Sequence, residues 1–290
     1  MTFDRRKAMD RPGAFQDKRG GKWIVRLRSN DASEQRDGGE YLPIRTKKGQ
    51  HYHGGFQTWW SAASKERELR EQGVKSRYQI CRKDENYRFA NQGCGVIAMI
   101  NLELYLSKAA ERNKGGDAPI SEMTQEEYEK IASSKWQKTY HIGTSYPNYL
   151  AGLYPWKMER GLRKFLKEND FSRKKVKWAP FFPSPVKRQR KLVMDAIIDM
   201  LSDDYPVVFA YYSTKQDVTF YVNFDHAIQK LPPEKPDELV GSHYMTVIGV
   251  YVTEKGEEIL QVESWGRIYY VRYEEYSRRL DYFSNILRIY

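Results

Sequence analysis

The chain has 290 residues, of which 40% are hydrophobic, and it carries a formal net charge of +11. Its 22 tyrosines and 7 tryptophans supply large apolar area, so we expect a substantial core and not a disordered polymer. No run of about 18 apolar residues occurs, and no apolar segment follows the basic N-terminus, so the sequence predicts neither a membrane span nor a Sec signal peptide. We expect a cytoplasmic protein, with export by a specialised system as the alternative.

The positive charge is concentrated near the N-terminus. Residues 1–75 hold 17 lysines and arginines against 10 aspartates and glutamates, so +7 of the net charge lies there. A second basic cluster falls within residues 173–191. No helix-turn-helix, zinc-finger or RNP-type pattern accompanies these charges, so the sequence predicts no specific nucleic-acid motif. The basic N-terminal arm is a candidate contact for an anionic partner.

Residues 1–75 read as a basic, partly disordered N-terminal arm, interrupted by glycine pairs. A short strand is predicted at 23–27, and an amphipathic helix at 56–73. His51 and His53 have the spacing of a metal pair on one strand face, but no third ligand lies nearby, which favours an exposed loop.

Residues 76–290 have the pattern of one α+β domain. Helices are predicted from Cys94 to about 110, over 121–133 after a capping-type Ser-Glu-Met-Thr, and near 156–168 and 187–203. Strands follow at 206–212, 244–251, 258–263 and 267–273. Helices first and antiparallel strands afterwards indicate the α+β class.

The most informative stretch is Asn-Gln-Gly-Cys-Gly at 91–95, which precedes a run with helical apolar spacing. A thiol at a helix N-terminus is activated by the unpaired N–H groups and the helix dipole. Gly93 and Gly95 would leave room for a substrate carbonyl beside Cys94. Two alternatives are an ordinary buried cysteine in a glycine-rich turn and a disulfide between Cys81 and Cys94, which would silence the nucleophile.

Two further motifs follow Cys94 in order: Gly-Ser-His-Tyr-Met-Thr-Val-Ile-Gly-Val-Tyr at 241–251 and Glu-Ser-Trp-Gly at 263–266. Together the three motifs resemble the papain-like cysteine peptidases, and most closely the compact bacterial branch that includes bacteriocin-leader peptidases. The resemblance covers about 76–290. It implies a papain-like fold, in which a helix headed by the nucleophile packs on an antiparallel β-sheet.

The resemblance also implies roles for individual residues. Cys94 would be the nucleophile, His243 the base, Glu263 the group that orients the imidazole, and Trp265 a cover over their contact. The family usually has Asn or Asp where this chain has Glu263. His226 is the competing base, but the glycine-ended strand that follows His243 is missing after it.

The oxyanion donor departs from the family pattern. Position 88, where the family has Gln, is Arg88 in this chain. Gln92 or Asn91, with the backbone N–H of Cys94, is therefore predicted to hold the oxyanion.

The sequence predicts a thiol hydrolase that cleaves a peptide, isopeptide or related amide bond through a Cys-His-Glu triad and an acyl-enzyme. This chemistry requires no metal and no organic cofactor, and its substrate is a peptide or protein. The alternative is a catalytically inactive papain-like domain that binds protein or nucleic acid. A transferase with the same Cys-His chemistry is a further possibility.

Overall fold

The computed structural model describes residues 22–27, 41–60, 63–115, 120–142, 152–169, 171, 174–178, 186–212, 218–221, 242–278, 280 and 284–290. The α-helices of these residues are α1 (Ala63–Glu71), α2 (Arg77–Lys83), α3 (Glu85–Gln92), α4 (Cys94–Gly115), α5 (Gln125–Lys138), α6 (Pro155–Glu168), α7 (Val186–Ser202) and α8 (Tyr273–Ser277). The strands are β1 (Lys22–Arg26), β2 (Pro43–Arg45), β3 (His51–His53), β4 (Met123–Thr124), β5 (Val176–Trp178), β6 (Val207–Tyr212), β7 (Ser242–Val252), β8 (Glu258–Ser264), β9 (Arg267–Arg272) and β10 (Leu287–Ile289).

The main sheet is antiparallel and is built around the long strand β7. β8 pairs along one edge of β7, while β6 and then β1 pair along the other edge, and β9 extends the sheet beyond β8. Two small sheets flank it, β3-β2-β4 and β10-β5. The predicted α+β class and the antiparallel order of the last strands are confirmed.

Helix α4 lies at the centre of the molecule. It packs against β7 and β6 on one side and against α5 and α6 on the other. Its apolar residues are buried on every face, including Val96, Met99, Ile100 and Leu102. A helix that is apolar all round belongs in a core. α4 therefore lies between the sheet and the two helices α5 and α6.

The N-terminal region contributes to the same core. β1 pairs with β7, and Leu42 and Ile44 are fully buried in the main hydrophobic cluster. The described residues within 22–60 are therefore part of the folded domain and not a separate arm. The helix predicted over 56–73 is divided into a short 3-10 helix, Gln57–Trp60, and α1.

Local sequence signals explain most element boundaries. The predicted helix at 121–133 begins later, at Gln125, because Thr124 and Glu127 form a capping box. The hairpin between β7 and β8 turns at Gly256, whose φ is 78°.

Within the described part of the chain, no helix is both long enough and apolar enough to cross a membrane.

Candidate active site

The predicted nucleophile lies where two helices meet. α3 ends at Gln92, Gly93 donates its N–H to the carbonyl oxygen of Phe89 over 2.7 Å, and α4 begins at Cys94. Cys94 is half-buried, and both it and Cys81 are free cysteines. The thiol therefore lies at the N-terminus of the central helix, where backbone N–H groups favour negative charge.

The two glycines beside Cys94 allow neighbouring parts of the chain to pack closely against the backbone. A Cβ on Gly95 would lie 3.0 Å from both Leu153 Cβ and Tyr244 Cδ2, and a Cβ on Gly93 would lie 2.5 Å from the Phe89 oxygen. Atoms of the chain itself therefore occupy the positions that a side chain at 93 or 95 would need. Gly95 lets the start of α4 pack against Tyr244 of β7. Room for a substrate carbonyl beside the sulfur stays a prediction.

The thiol faces the backbone at the start of β7. Burial raises the pKa of Cys94, and backbone N–H groups of Tyr244, Gly95 and Cys94 itself act in the opposite direction. Tyr244 directly follows His243 in the chain. Cys94 thus lies beside the strand that carries His243, but the described residues show no hydrogen bond between the thiol and the imidazole.

The imidazole of His243 has a serine as its hydrogen-bond partner. His243 Nε2 lies 2.7 Å from Ser264 Oγ, and both residues are buried. Burial lowers the pKa of His243 from 6.5 to about 3. The ring is therefore neutral at neutral pH and can accept a proton.

Trp265 covers the imidazole. Its ring stacks on that of His243 with centroids 4.4 Å apart and an interplanar angle of 17°. Trp265 and Gly266 form the two-residue turn between β8 and β9, with φ of 49° and 68°. A positive φ is strained for a bulky side chain, so the surrounding packing, which includes Phe220 and Tyr269, must hold it. The turn thus holds the Trp265 ring against the imidazole of His243.

The structure places Glu263 away from His243, which corrects the predicted triad. Thr246 pairs with Glu263 across β7 and β8, whereas His243 lies three residues before Thr246 and so points to the opposite face. Glu263 Oε2 accepts from Asn101 Nδ2 over 3.2 Å, and the Gly266 N–H also donates to this carboxyl. A partner for Glu263 Oε1 is missing among the described residues.

Asn101 on α4 is a buried polar residue that no sequence motif indicated. Its Oδ1 accepts from the Gly55 N–H over 3.2 Å and from the Tyr128 hydroxyl over 2.7 Å, and its Nδ2 donates to the Gly55 oxygen over 3.3 Å. Gly54, with φ of 104°, passes so close that a Cβ would lie 2.8 Å from Asn101 Nδ2. Asn101 therefore joins the N-terminal segment to Glu263.

The two predicted oxyanion donors differ in availability. Asn91 Nδ2 donates to the Tyr87 carbonyl oxygen over 2.7 Å, within its own helix. Gln92 is buried, and its Nε2 has no hydrogen-bond partner among the described residues. Arg88 contacts Glu85 at 3.3 Å. Gln92 is therefore the better candidate of the two, because its donor is not otherwise engaged.

His51 and His53 lie on the short strand β3. His51 Nδ1 lies 3.0 Å from Glu122, and His53 Nδ1 is buried. Across the described ranges, no group of three or more His, Cys, Asp or Glu side chains is placed to hold a metal ion. His226, the competing base, lies outside the described residues.

Comparison of the chain with protein-family models, with curated proteins and with solved structures gave no match. The candidate site is therefore defined by its residues, their contacts and their order in the chain.

Proposed function

We propose that this protein is a thiol hydrolase that cleaves a peptide, isopeptide or related amide bond. The observation that carries the proposal is the position of Cys94. Its thiol lies at the N-terminus of the central helix and faces the backbone N–H of Tyr244, the residue after His243. Cys94 thus lies beside the strand that carries His243, and the Trp265 ring covers the imidazole. The resemblance to papain-like peptidases supports the same assignment.

The resting pair is a neutral thiol and a neutral imidazole. Burial raises the pKa of Cys94 and lowers that of His243 to about 3. The thiol proton therefore passes to His243 as sulfur attacks the carbonyl carbon, and a thioester bond forms between Cys94 and the acyl group. His243 then gives this proton to the leaving amine. Water hydrolyses the thioester, with His243 again as the base.

Oxyanion stabilisation is assigned to Gln92 and to the Cys94 backbone N–H. Gln92 Nε2 is a buried donor with no partner among the described residues, so it is free to bind a developing negative charge. The proposed chemistry needs no metal or organic cofactor. The partner is a peptide or protein substrate, and a contact between the basic N-terminal residues and an anionic partner remains a prediction.

One observation favours the alternative, a catalytically inactive domain that binds a partner. Glu263 hydrogen-bonds Asn101 of α4 and lies on the face opposite His243, so the imidazole points away from the helix that Cys94 begins. No carboxylate of the described residues hydrogen-bonds this imidazole. The test of acylation separates the two functions, because a binding domain would not form a covalent intermediate.

The experiment uses p-nitrophenyl acetate, an activated ester that acylates nucleophilic thiols. We expect one acetyl group on Cys94, located by mass spectrometry of peptides, followed by its loss through hydrolysis. Cys81, which is buried in a separate cluster, serves as the internal control and should stay unmodified. An intact protein with no acetyl group on Cys94 would contradict the proposed function.

A further inference from the structure

The resemblance to papain-like peptidases assigns no role to Ser264, yet Ser264 is the hydrogen-bond partner of His243. We propose that Ser264, and not Glu263, is the positioning residue that orients the imidazole of His243. This inference rests on the proposed function, because it assigns the third member of the same catalytic group.

The strand geometry selects Ser264 for this role. Side chains alternate between the two faces of a strand, and Thr246 pairs with Glu263. One step along each strand places Ser264 beside Met245, which shares a face with His243. Ser264 therefore reaches the imidazole, whereas Glu263 points toward Asn101.

The contact has the properties of an orienting hydrogen bond. The distance between His243 Nε2 and Ser264 Oγ is 2.7 Å, and the two residues are 5% and 4% exposed. Trp265 stacks on the ring and limits access of water. A buried hydrogen bond of this kind is stronger than an exposed one and restricts rotation of the ring. With Nε2 engaged, Nδ1 is the nitrogen that takes the proton from Cys94.

A hydroxyl can serve both protonation states of the ring. In the tautomer that can accept the thiol proton, the neutral ring carries its own proton on Nε2 and donates it to Ser264 Oγ. The same Nε2–H still donates to Ser264 after Nδ1 has taken the thiol proton. Because Ser264 is uncharged, it orients the ring but stabilises the imidazolium less than a carboxylate would. We therefore expect its loss to misplace the base and to lower the rate by up to about 10²-fold.

The test compares Ser264→Ala, Ser264→Thr and Glu263→Gln in the full chain, with Ser277→Ala as a control for loss of a buried serine hydroxyl. We measure the rate of Cys94 acylation by p-nitrophenyl acetate at saturation, together with its half-saturating concentration and pH profile. Ser264→Ala should lower the saturating rate about 10- to 100-fold with little change in half-saturation. Ser264→Thr, which keeps the hydroxyl, should recover most of the rate. The proposal is overturned if Ser264→Ala keeps the wild-type saturating rate while Glu263→Gln lowers it.

A second readout keeps this inference separate from the proposed function. The imidazole nitrogens of His243 are observed by ¹H–¹⁵N NMR, with His243→Ala used to assign its signals among the five histidines. Ser264→Ala should shift the Nε2 resonance and change the tautomer ratio, and Ser277→Ala should not. If the wild type is never acylated, the proposed function fails. Unchanged His243 resonances in Ser264→Ala would refute the positioning role independently.

Discussion

Replacing Cys94 with Ala should lower turnover of p-nitrophenyl acetate at the site by at least about 10³-fold, since no other group supplies the nucleophile. The free energy of unfolding should change by less than about 1 kcal/mol, because Cys94 is only half-buried and the substitution removes one sulfur atom. Activity is measured from released nitrophenolate after subtraction of the uncatalysed rate, and stability from thermal unfolding.

The matched control is Cys81→Ala, which removes the other thiol of the chain. Cys81 lies in a small buried cluster with Leu69, Val74, Ile80 and Tyr87, separate from the main core. This variant should retain wild-type turnover even if its melting temperature falls. Equal turnover in Cys94→Ala and the wild type would mean that Cys94 is not the nucleophile.

Replacing Glu263 with Gln should change how stability depends on pH. Burial raises the pKa of Glu263 from 4.5 to about 8, and the Asn101 side chain and Gly266 N–H act in the opposite direction. Between pH 4.5 and about pH 8, the folded protein keeps a proton on Glu263 that the unfolded chain has lost. The contribution of Glu263 to stability therefore falls as pH rises through this window.

The amide in the Glu263→Gln variant cannot ionise, so this variant does not lose stability as pH rises through the window. Its stability relative to the wild type should increase with pH between 4.5 and 8, by up to about 1.4 kcal/mol per pH unit. His243 has a lowered pKa in both proteins, so its effect cancels in the difference. Denaturant midpoints of the two proteins across this range measure the difference. A difference that stays flat would show that Glu263 is already ionised in the folded protein.

Secondary structure was largely predictable because it depends on local periodicity. The apolar spacing after Cys94 predicted the central helix, and alternating β-branched and aromatic residues predicted β6 to β9. The N-terminal region was not recognised as part of the core. Leu42 and Ile44 stand among glycines and charged residues, and their burial depends on distant partners that no local pattern reveals.

The sequence predicted one contact of the candidate site, that of Trp265 with His243, but not the hydrogen-bond partner of the imidazole. The sequence pointed to Cys94, His243 and Trp265, and the structure stacks Trp265 on His243. It could not determine the partner of His243, because a shift of one residue in strand pairing moves a side chain to the other face. Ser264 directly follows Glu263 in the Glu-Ser-Trp-Gly motif. Only the pairing register of β7 and β8 determines which of the two side chains faces His243.

Activation of Cys94 by His243 is tested most directly by the rate at which iodoacetamide alkylates Cys94, measured as a function of pH. In the wild type we expect the rate to fall less than tenfold per pH unit below neutral pH, because burial lowers the pKa of His243 and its unprotonated imidazole can take the thiol proton as the sulfur attacks. In His243→Ala the rate should be at least about tenfold lower at neutral pH and fall about tenfold per pH unit below it, as for an unassisted thiol. Coinciding profiles for the two proteins would contradict the account.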